Sequence, residues 1–183
     1  MQDRDLRKYG LKLYYSRSFR GRNYLYTRAS FSLNGDLARE QFKSSELVDY
    51  FRFSFTGIYG TKVNQTKTYG FGLSYSYNFG QLSLYPIYYY NKQFNSKWGM
   101  ELRLPIKTEI RYLLDDKNHF FFTNRLWGDS YVLKLESVNK EKVFLNMSSF
   151  RSLITYEREI YDFLWFTVSA GINVNIKDRK STR

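Results

Sequence analysis

His119, the single histidine of the chain, has neighbours that suit nucleophilic catalysis. Asp115 and Asp116 precede it, and Asp129 and Ser130 follow one predicted hairpin later. A His, a Ser and a carboxylate can together carry out acyl transfer. The sequence Asp-Asp-Lys-Asn is, however, typical of a polar turn, and no pattern fixes His119 beside a hydroxyl. We therefore predict no catalytic residue and no enzyme activity, with a lipid-modifying enzyme as an alternative.

A second group of charged residues shares one phase of an alternating run and suits ion pairing. Its members are Glu101, Arg103, Lys107, Glu109 and Arg111, and Arg52 and Arg28 lie on similar polar faces. If these faces line the inside of a small barrel, their charges must pair with each other or with water. Because small barrels are usually filled by side chains, we predict a salt-bridged plug, with a narrow anion-preferring channel as an alternative. In a soluble barrel the same charges would form a solvated face.

The composition excludes several classes of site and protein. The chain of 183 residues has no Cys and one His, which excludes disulfides, thiolate metal sites and His-rich metal clusters. We predict no metal and no cofactor. No apolar run reaches the ~18 residues of a membrane helix, and the mean hydropathy is -0.56. The 18 Tyr, 16 Phe and 3 Trp exclude a disordered chain, and the length predicts a single domain, residues 1–183.

The first five residues, Met1 to Asp5, are polar and charged except for Met1. No apolar segment of a secretory signal follows them. The start of the chain therefore predicts either a cytoplasmic protein or a processed or truncated product.

The elements that must position these residues are β-strands, because large apolar residues recur at every second position. Tyr69, Phe71 and Leu73, for example, alternate with Gly70 and Gly72. Ten strands are predicted, at residues 11–19, 24–33, 51–55, 69–79, 82–90, 98–114, 120–126, 131–135, 150–157 and 164–176. Turn signals separate most of them, and the order predicts a single up-and-down meander.

Three local features refine this prediction. Pro105 lies inside the longest run, where the alternation continues across it, so we predict a bulge within one long strand. Gly128-Asp129 is a predicted turn. Residues 35–46 are predicted to form a short helical turn in a loop. The predicted connections do not alternate in length, so they assign no topology.

The residue types on the polar face favour a membrane barrel. Gly70, Gly72, Ser74 and Ser76 are poor choices for a strand face in water, whereas small inward residues fit a narrow lumen. Aromatic pairs such as Tyr9 and Phe19, Tyr50 and Tyr59, or Tyr69 and Phe79 are about ten residues apart, which matches the height of a ~25 Å apolar band. The residues predicted to face lipid are Phe51, Phe53, Phe55, Tyr69, Phe71, Tyr75, Tyr77, Phe79, Trp98 and Phe166. The predicted fold is all-β: a transmembrane antiparallel up-and-down β-barrel of roughly ten strands (8–12).

Several short motifs resemble an uncharacterised family of outer-membrane β-barrels from Bacteroidota, a domain of unknown function. They are the run from Tyr69 to Gly80, Leu84-Tyr85-Pro86, Lys97-Trp98 with Leu104-Pro105, and Tyr156-Glu157-Arg158 with Ala170-Gly171. The resemblance covers roughly residues 50–176. It implies an outer-membrane location and a signal peptide that is removed or left out, and it implies no activity. One departure is the end of the chain, Lys177 to Arg183, where many such barrels have a terminal aromatic residue.

The formal charge of +12 has two explanations. A soluble, basic, aromatic β-barrel that binds single-stranded nucleic acid is one, but the aromatic residues are spread over most strands. Basic loops beside the phosphates of lipopolysaccharide are the other. We predict a non-enzymatic protein of the bacterial outer membrane, either a structural or accessory subunit or a narrow pore. The predicted partners are outer-membrane lipid, lipopolysaccharide and other outer-membrane proteins, without nucleic acid.

Overall fold

The structure of the chain, a computed structural model, describes residues 6–19, 21–36, 47–134 and 142–182. These residues form ten strands and one short helix. The strands are β1 (Leu6–Ser18), β2 (Asn23–Asp36), β3 (Phe51–Lys62), β4 (Lys67–Ser76), β5 (Ser83–Gln93), β6 (Trp98–Leu104), β7 (Lys107–Leu113), β8 (Asn118–Lys134), β9 (Lys142–Tyr161) and β10 (Leu164–Thr182), and the helix is α1 (Leu47–Tyr50). Among the described residues, no helix is long and apolar enough to cross a membrane. The all-β prediction is confirmed.

Each strand pairs with the next one along the chain in an antiparallel sheet, as predicted for a meander. One further pairing joins β2 to β8 in parallel, where Gly35 lies opposite Val132. This contact closes seven strands, β2 to β8, into a barrel whose interior we call the lumen. Strands β1, β9 and β10 extend the sheet beyond the closed barrel.

The prediction of one long strand across Pro105 is wrong. Leu104 ends β6 and Lys107 begins β7, so Pro105 and Ile106 form a two-residue turn between two paired strands. Arg103 lies opposite Lys107 in this hairpin. Because paired residue numbers add to an even number, odd residues stay on one face and even residues on the other. The alternation therefore continues through the turn and hides it.

The predicted turn at Gly128-Asp129 is also wrong, because β8 runs without a break from Asn118 to Lys134. The predicted strand 120–126 and residues 131–134 of the predicted strand 131–135 belong to this one strand, and residue 135 lies outside the described residues. The number of strands agrees with the prediction because one strand was split and two were merged. The helix α1 follows the segment predicted to be helical: residues 35 and 36 belong to β2, and residues 37–46 lie outside the described residues.

The connections differ in length between the two ends of the sheet. At one end, the short-turn end, the strands are joined by residues 19–22, 63–66, 94–97, 114–117 and 162–163. At the other end, the long-loop end, they are joined by residues 37–50, 77–82, 105–106 and 135–141. Apart from the two-residue turn at 105–106, the connections at the long-loop end are longer than those at the short-turn end. The predicted strand bounds obscured this difference because they misplaced two turns.

The side chains that the sheet buries are mainly polar. Asn34 and Ser74 are fully buried, and Arg52, Glu101 and Asp129 are buried as well. Large apolar side chains point outward instead: Phe71 is 65% exposed. Five of the buried apolar residues form two small clusters, one of Tyr50 and Val132 and one of Ile58, Tyr85 and Ile87. The described fold therefore has a polar interior and an apolar exterior.

Polar contacts support the closure between β2 and β8. The Asn34 amide donates hydrogen bonds to Asp129 Oδ1 at 3.0 Å and to the Ser130 carbonyl at 3.1 Å. Lys8 Nζ on β1 lies 2.5 Å from Asp129 Oδ2. Gly35 leaves room for the Tyr50 ring, which packs against Val132. A buried carboxylate with partners from two other strands thus joins the edges of the closed barrel.

Candidate lumen site

Four of the predicted lumen charges form one ion network on β6 and β7. Arg103 Nε lies 2.8 Å and Lys107 Nζ 3.7 Å from Glu101 Oε1, and Lys107 Nζ also lies 2.8 Å from Glu109 Oε2. The two-residue turn makes this possible, because it places Arg103 opposite Lys107 and Glu101 opposite Glu109. Thr123 on β8 donates a further hydrogen bond to Glu109 Oε2 at 3.1 Å.

The contact between Arg103 and Glu101 is an ion pair without hydrogen-bond geometry. Among the described residues, neither Arg103 Nε nor Glu101 Oε1 has a hydrogen-bond partner, although both atoms are buried. Arg103 also lies over the Tyr89 ring, 5.8 Å from its centre. The network therefore compensates charge but leaves polar atoms available to other partners in the lumen.

The other two predicted lumen charges lie apart from this network. Arg111 donates a hydrogen bond from Nη2 to Asn91 Oδ1 at 2.7 Å, nearer the short-turn end. Arg52 lies near the long-loop end, where its Nη1 donates to the carbonyls of Asp49 at 2.7 Å and Phe51 at 2.9 Å. The Arg52 guanidinium also lies 5.7 Å from the centre of the Tyr77 ring, a cation–π distance.

Arg28, which the sequence places on a polar face, lies in the lumen with two cations that the sequence did not single out, Lys12 and Arg125. Lys12 on β1, Arg28 on β2 and Arg125 on β8 line a cavity of about 340 Å³ together with Arg103 and Lys107. Arg151 on β9 lies directly opposite Arg125 and 4.4 Å from the centre of the Trp127 ring. The signal was present in the sequence, since Arg125 lies in the predicted strand 120–126 and shares the face of Thr123, opposite that of Phe120 and Phe122.

This cavity, which we call the central cavity, lies between two other cavities along the lumen. A second cavity, of about 370 Å³, lies toward the short-turn end and is lined by Ser16, Ser18, Lys62 and Thr68, among others. It shares Arg103 with the first cavity. A third, of about 90 Å³, lies toward the long-loop end beside Arg52 and Asp129. The lumen is thus neither empty nor completely filled.

Residues 77–82, the connection between β4 and β5, fold into the lumen; we call them the inserted turn. A Cβ atom on Gly128 of β8 would meet the Tyr77 carbonyl oxygen and, at 2.6 Å, the Gly80 nitrogen. A Cβ atom on Gly80 would lie 3.1 Å from Ser148 Cβ on β9. The inserted turn therefore reaches the opposite wall and narrows the lumen near the long-loop end, and it requires a glycine at position 128.

The inserted turn changes the placement of two residues predicted to face lipid. Tyr77 lines the small cavity beside Arg52. Phe79 packs against Tyr85, with the ring centres 4.9 Å apart in an edge-to-face arrangement. Both rings lie inside because the chain leaves the strand after Ser76, so the alternation no longer assigns a face.

The remaining residues predicted to face lipid lie on the outer face of the sheet. Their side chains are exposed except for Phe53, which is half-buried because it packs against Phe31, 5.2 Å away between ring centres. The exposed ones are Phe51, Phe55, Tyr69, Phe71, Tyr75, Trp98 and Phe166. Two of the aromatic pairs taken as membrane girdles are interrupted, because Tyr50 is buried and Phe79 lies in the inserted turn.

The arrangement around His119 that the enzyme alternative requires does not form. His119 and Ser130 lie on the same continuous strand, eleven positions apart, which corresponds to about 36 Å at ~3.3 Å per residue. The His119 ring instead lies 5.1 Å from the centre of the Trp165 ring. In the part of the chain that the structure describes, no three His, Asp or Glu side chains are grouped so as to hold a metal ion.

Comparison with known proteins gives one match. A family described as a domain of unknown function (DUF6268) matches residues 2–181. No curated protein and no solved structure matches this chain.

Proposed function

The chain belongs to the family described as Domain of unknown function (DUF6268), and we propose that it is a small, non-enzymatic β-barrel of the bacterial outer membrane with a charged, largely plugged lumen. It acts as a structural or accessory subunit of an outer-membrane assembly. Its resemblance to outer-membrane barrels of Bacteroidota supports the location. Outer-membrane lipid and lipopolysaccharide are its surroundings, and its positive charge suits their phosphates.

The observation that carries this proposal is the reversed distribution of polar and apolar side chains. Side chains such as Ser74, Glu101 and Arg52 are buried, whereas Phe71, Leu84 and Ile172 are more than 60% exposed. Soluble monomers rarely expose large contiguous apolar surfaces. Membrane β-barrels have this distribution, with an apolar band outside and polar residues inside.

The lumen favours a plug over an open pore. The inserted turn contacts β8 and β9 across the interior, and the ion network occupies the wall formed by β6 and β7. Small barrels are usually filled by their side chains. A narrow anion-preferring pore is the second candidate, because five cations line the central cavity.

A membrane location has a consequence for the edges of the sheet. Among the described residues, β1 pairs only with β2 and β10 pairs only with β9. Unpaired backbone groups cost several kcal/mol each in hydrocarbon, which is why membrane sheets are closed. Under this proposal β1 and β10 pair with each other in the bilayer. They run in opposite directions, as an antiparallel pair requires.

Partitioning of the purified chain between lipid vesicles and buffer tests the proposal. We expect the folded protein to float with vesicles in a density gradient and to remain bound after washing at high salt and at alkaline pH, which remove peripheral proteins. A folded protein that is monodisperse in buffer without detergent would contradict it. Conductance across a planar bilayer then separates the two candidates: a plugged barrel gives no steady current, and a pore gives one.

A further inference from the structure

Four cationic residues lie side by side on the inner face of four consecutive strands; we call them the cation row. Arg103 on β6 is opposite Lys107 on β7, Lys107 is opposite Arg125 on β8, and Arg125 is opposite Arg151 on β9. Directly opposite residues on antiparallel strands have Cβ atoms about 5 Å apart, and like charges at that distance are destabilising. The row therefore needs compensation by negative charge.

Protein carboxylates compensate only one half of the row. Glu101 and Glu109 neutralise Arg103 and Lys107. Among the described residues, Arg125 and Arg151 have no carboxylate within the 4.0 Å of an ion pair. The two carboxylates that pair with the cation row thus lie on β6 and β7, to one side of Arg125.

The closure of the barrel adds another cation on the uncompensated side. Gly35 of β2 pairs in parallel with Val132 of β8. At Arg28, β2 is paired on both sides, with β1 and β3, so Arg28 approaches Arg125 through the lumen and not as a partner on an adjacent strand. Both line the central cavity of about 340 Å³, and so does Lys12 of β1. Within the described chain, Arg28 and Lys12 also lack a carboxylate at ion-pair distance.

The central cavity can therefore accept an anionic ligand. Five of the described residues that line it are cationic and none is Asp or Glu. Thr56, Asn78 and Tyr26 add neutral polar groups to its lining. Guanidinium groups bind phosphate and carboxylate oxygens through paired hydrogen bonds, and several converging cations favour a ligand with more than one negative charge.

We propose that the central cavity binds an oxyanion of the phosphate class between Arg28 and Arg125, with Lys12 beside them. This proposal rests on the proposed function in one respect: it assigns a ligand to the charged lumen of the barrel. The bound oxyanion supplies the negative charge that the second half of the cation row lacks. It enters from the short-turn end, through the adjoining cavity, because the inserted turn narrows the other end. Either a free phosphate or the phosphate of a lipid headgroup has the required chemistry.

Thermal unfolding of the folded protein in a non-ionic detergent, followed by circular dichroism, tests this site. Inorganic phosphate is the probe, and sodium chloride of equal ionic strength is the reference. We expect phosphate to raise the melting temperature of the wild type. Arg125→Gln raises the melting temperature without phosphate, because it removes a like-charge contact, and it weakens phosphate binding about tenfold or more, as expected for a lost charge-assisted hydrogen bond.

Arg111→Gln is the matched control, since it removes one lumen cation that lies outside the cavity and has its own partner, Asn91. This variant keeps the full response to phosphate. Arg28→Gln provides an independent variant if Arg125→Gln fails to fold. The same measurements with a short-chain phosphatidic acid distinguish a free phosphate from a lipid headgroup. If inorganic phosphate raises the melting temperature, and the rise depends on Arg125 or Arg28, the ligand is a free ion. If only phosphatidic acid does so, the ligand is a headgroup.

Two results would overturn the site. One is the absence of a shift in the wild type with either probe, and the other is an equal shift in all variants, which would indicate a general salt effect. Neither result bears on membrane insertion, which vesicle flotation measures separately.

Discussion

Strands β4 and β10 have the same alternation, but the sheet treats them differently. In β4, paired on both sides by β3 and β5, Ser74 and Ser76 are buried while Phe71 and Leu73 on the opposite face are exposed. In β10 all residues from 164 to 176 are exposed on both faces. On its small polar face, Ser169 and Thr155 form a hydrogen bond of 2.8 Å within the β9–β10 hairpin.

This difference shows that alternation predicts which face of a strand is polar, but does not predict whether the sheet closes over that face. A polar face becomes an interior only where other strands curve round to cover it, and this has happened for β2 to β8. The polar faces of β1 and β10 have the composition of an interior without the cover. Each of the following predictions changes one of these two regions.

If β1 and β10 pair with each other, the polar face of β10 becomes an interior like that of β4. Disulfide cross-linking tests this pairing, because a bond either forms or does not. The chain has no native Cys, so introduced pairs form without competition. In vesicles, we expect Leu13→Cys on the outer face of β1 to form a disulfide with Cys at one of the outer positions 166, 168, 170 or 172 of β10, because a disulfide needs Cβ atoms about 4 Å apart.

Ser169→Cys on the inner face of β10 is the control for this experiment and remains reduced in combination with Leu13→Cys. Mass shifts on non-reducing gels distinguish the products. Formation of dimers alone would mean that a second copy pairs with these edges, and the absence of any cross-link would show that the edges stay apart.

Charge on the outer face should have the next largest effect. Phe71→Arg on β4 and Ile172→Arg on β10 each place a cation in the proposed apolar band. Near the bilayer midplane such a change costs about 2–4 kcal/mol, measured as the free energy of unfolding in denaturant with the protein in vesicles. Gln65→Arg, in the exposed turn between β3 and β4, is the control and is close to neutral. If Phe71→Arg is equally neutral, the outer face of the closed barrel contacts water.

Adding a methyl group to a crowded glycine should destabilise β4 more than β10, by an amount smaller than the effect of a charge on the outer face. A Cβ atom on Gly72 of β4 would meet the Gly57 carbonyl oxygen, and one on Gly171 of β10 would meet the Ser152 carbonyl oxygen. In detergent, we expect Gly72→Ala to cost about 1–3 kcal/mol, as overpacking does, and Gly171→Ala to cost less because β10 can shift away from its single partner. Equal losses in the two unfolding free energies would indicate that β10 is held on both sides.

The smallest effect concerns the turn between β7 and β8. Hydrogen bonds from the Asn118 side chain and from the Lys117 and Asn118 backbone lower the pKa of Asp115 from its usual 3.8. The unfolded chain therefore takes up this proton at a higher pH than the folded chain. The stabilisation is present above about pH 4 and is lost as the pH falls through the lowered pKa.

Asp115→Asn removes this contribution, so its melting temperature should fall less between pH 5 and pH 2 than that of the wild type. Asp116→Asn, in the same exposed turn, serves as the control and should follow the wild type. A wild-type pH dependence identical to that of Asp115→Asn would contradict the assignment.

Much of the local structure could be predicted from the sequence, with errors that have a common cause. Alternation found the faces of β3, β4, β6 and β7, because side chains on a strand must point in alternate directions. It missed the turn at Pro105, because this turn preserves the phase of the alternation. It also ended β8 early at Gly128, where a glycine is needed to make room for the inserted turn and not to form a turn in β8. For the same reason Tyr77 and Phe79 received the wrong face.

The candidate site was predicted in part. Glu101, Arg103, Lys107 and Glu109 lie together because they belong to one hairpin, where a local pattern fixes the neighbours. The position of Arg28 near Arg125 could not be predicted, because five strands lie between β2 and β8 along the chain. The described residues of these two strands pair at Gly35 and Val132, where the barrel closes. The same holds for the contacts among Lys8, Asn34 and Asp129.

The sequence by itself determined that this protein is all-β, that each strand has an apolar and a polar face, and that consecutive strands form antiparallel hairpins. These features follow from the period of two and from short turns, which act over a few residues. Only the tertiary structure decided which edges meet, which turn folds into the lumen and which cations share a cavity. These depend on the curvature of the whole sheet, which brings together residues that are about a hundred positions apart.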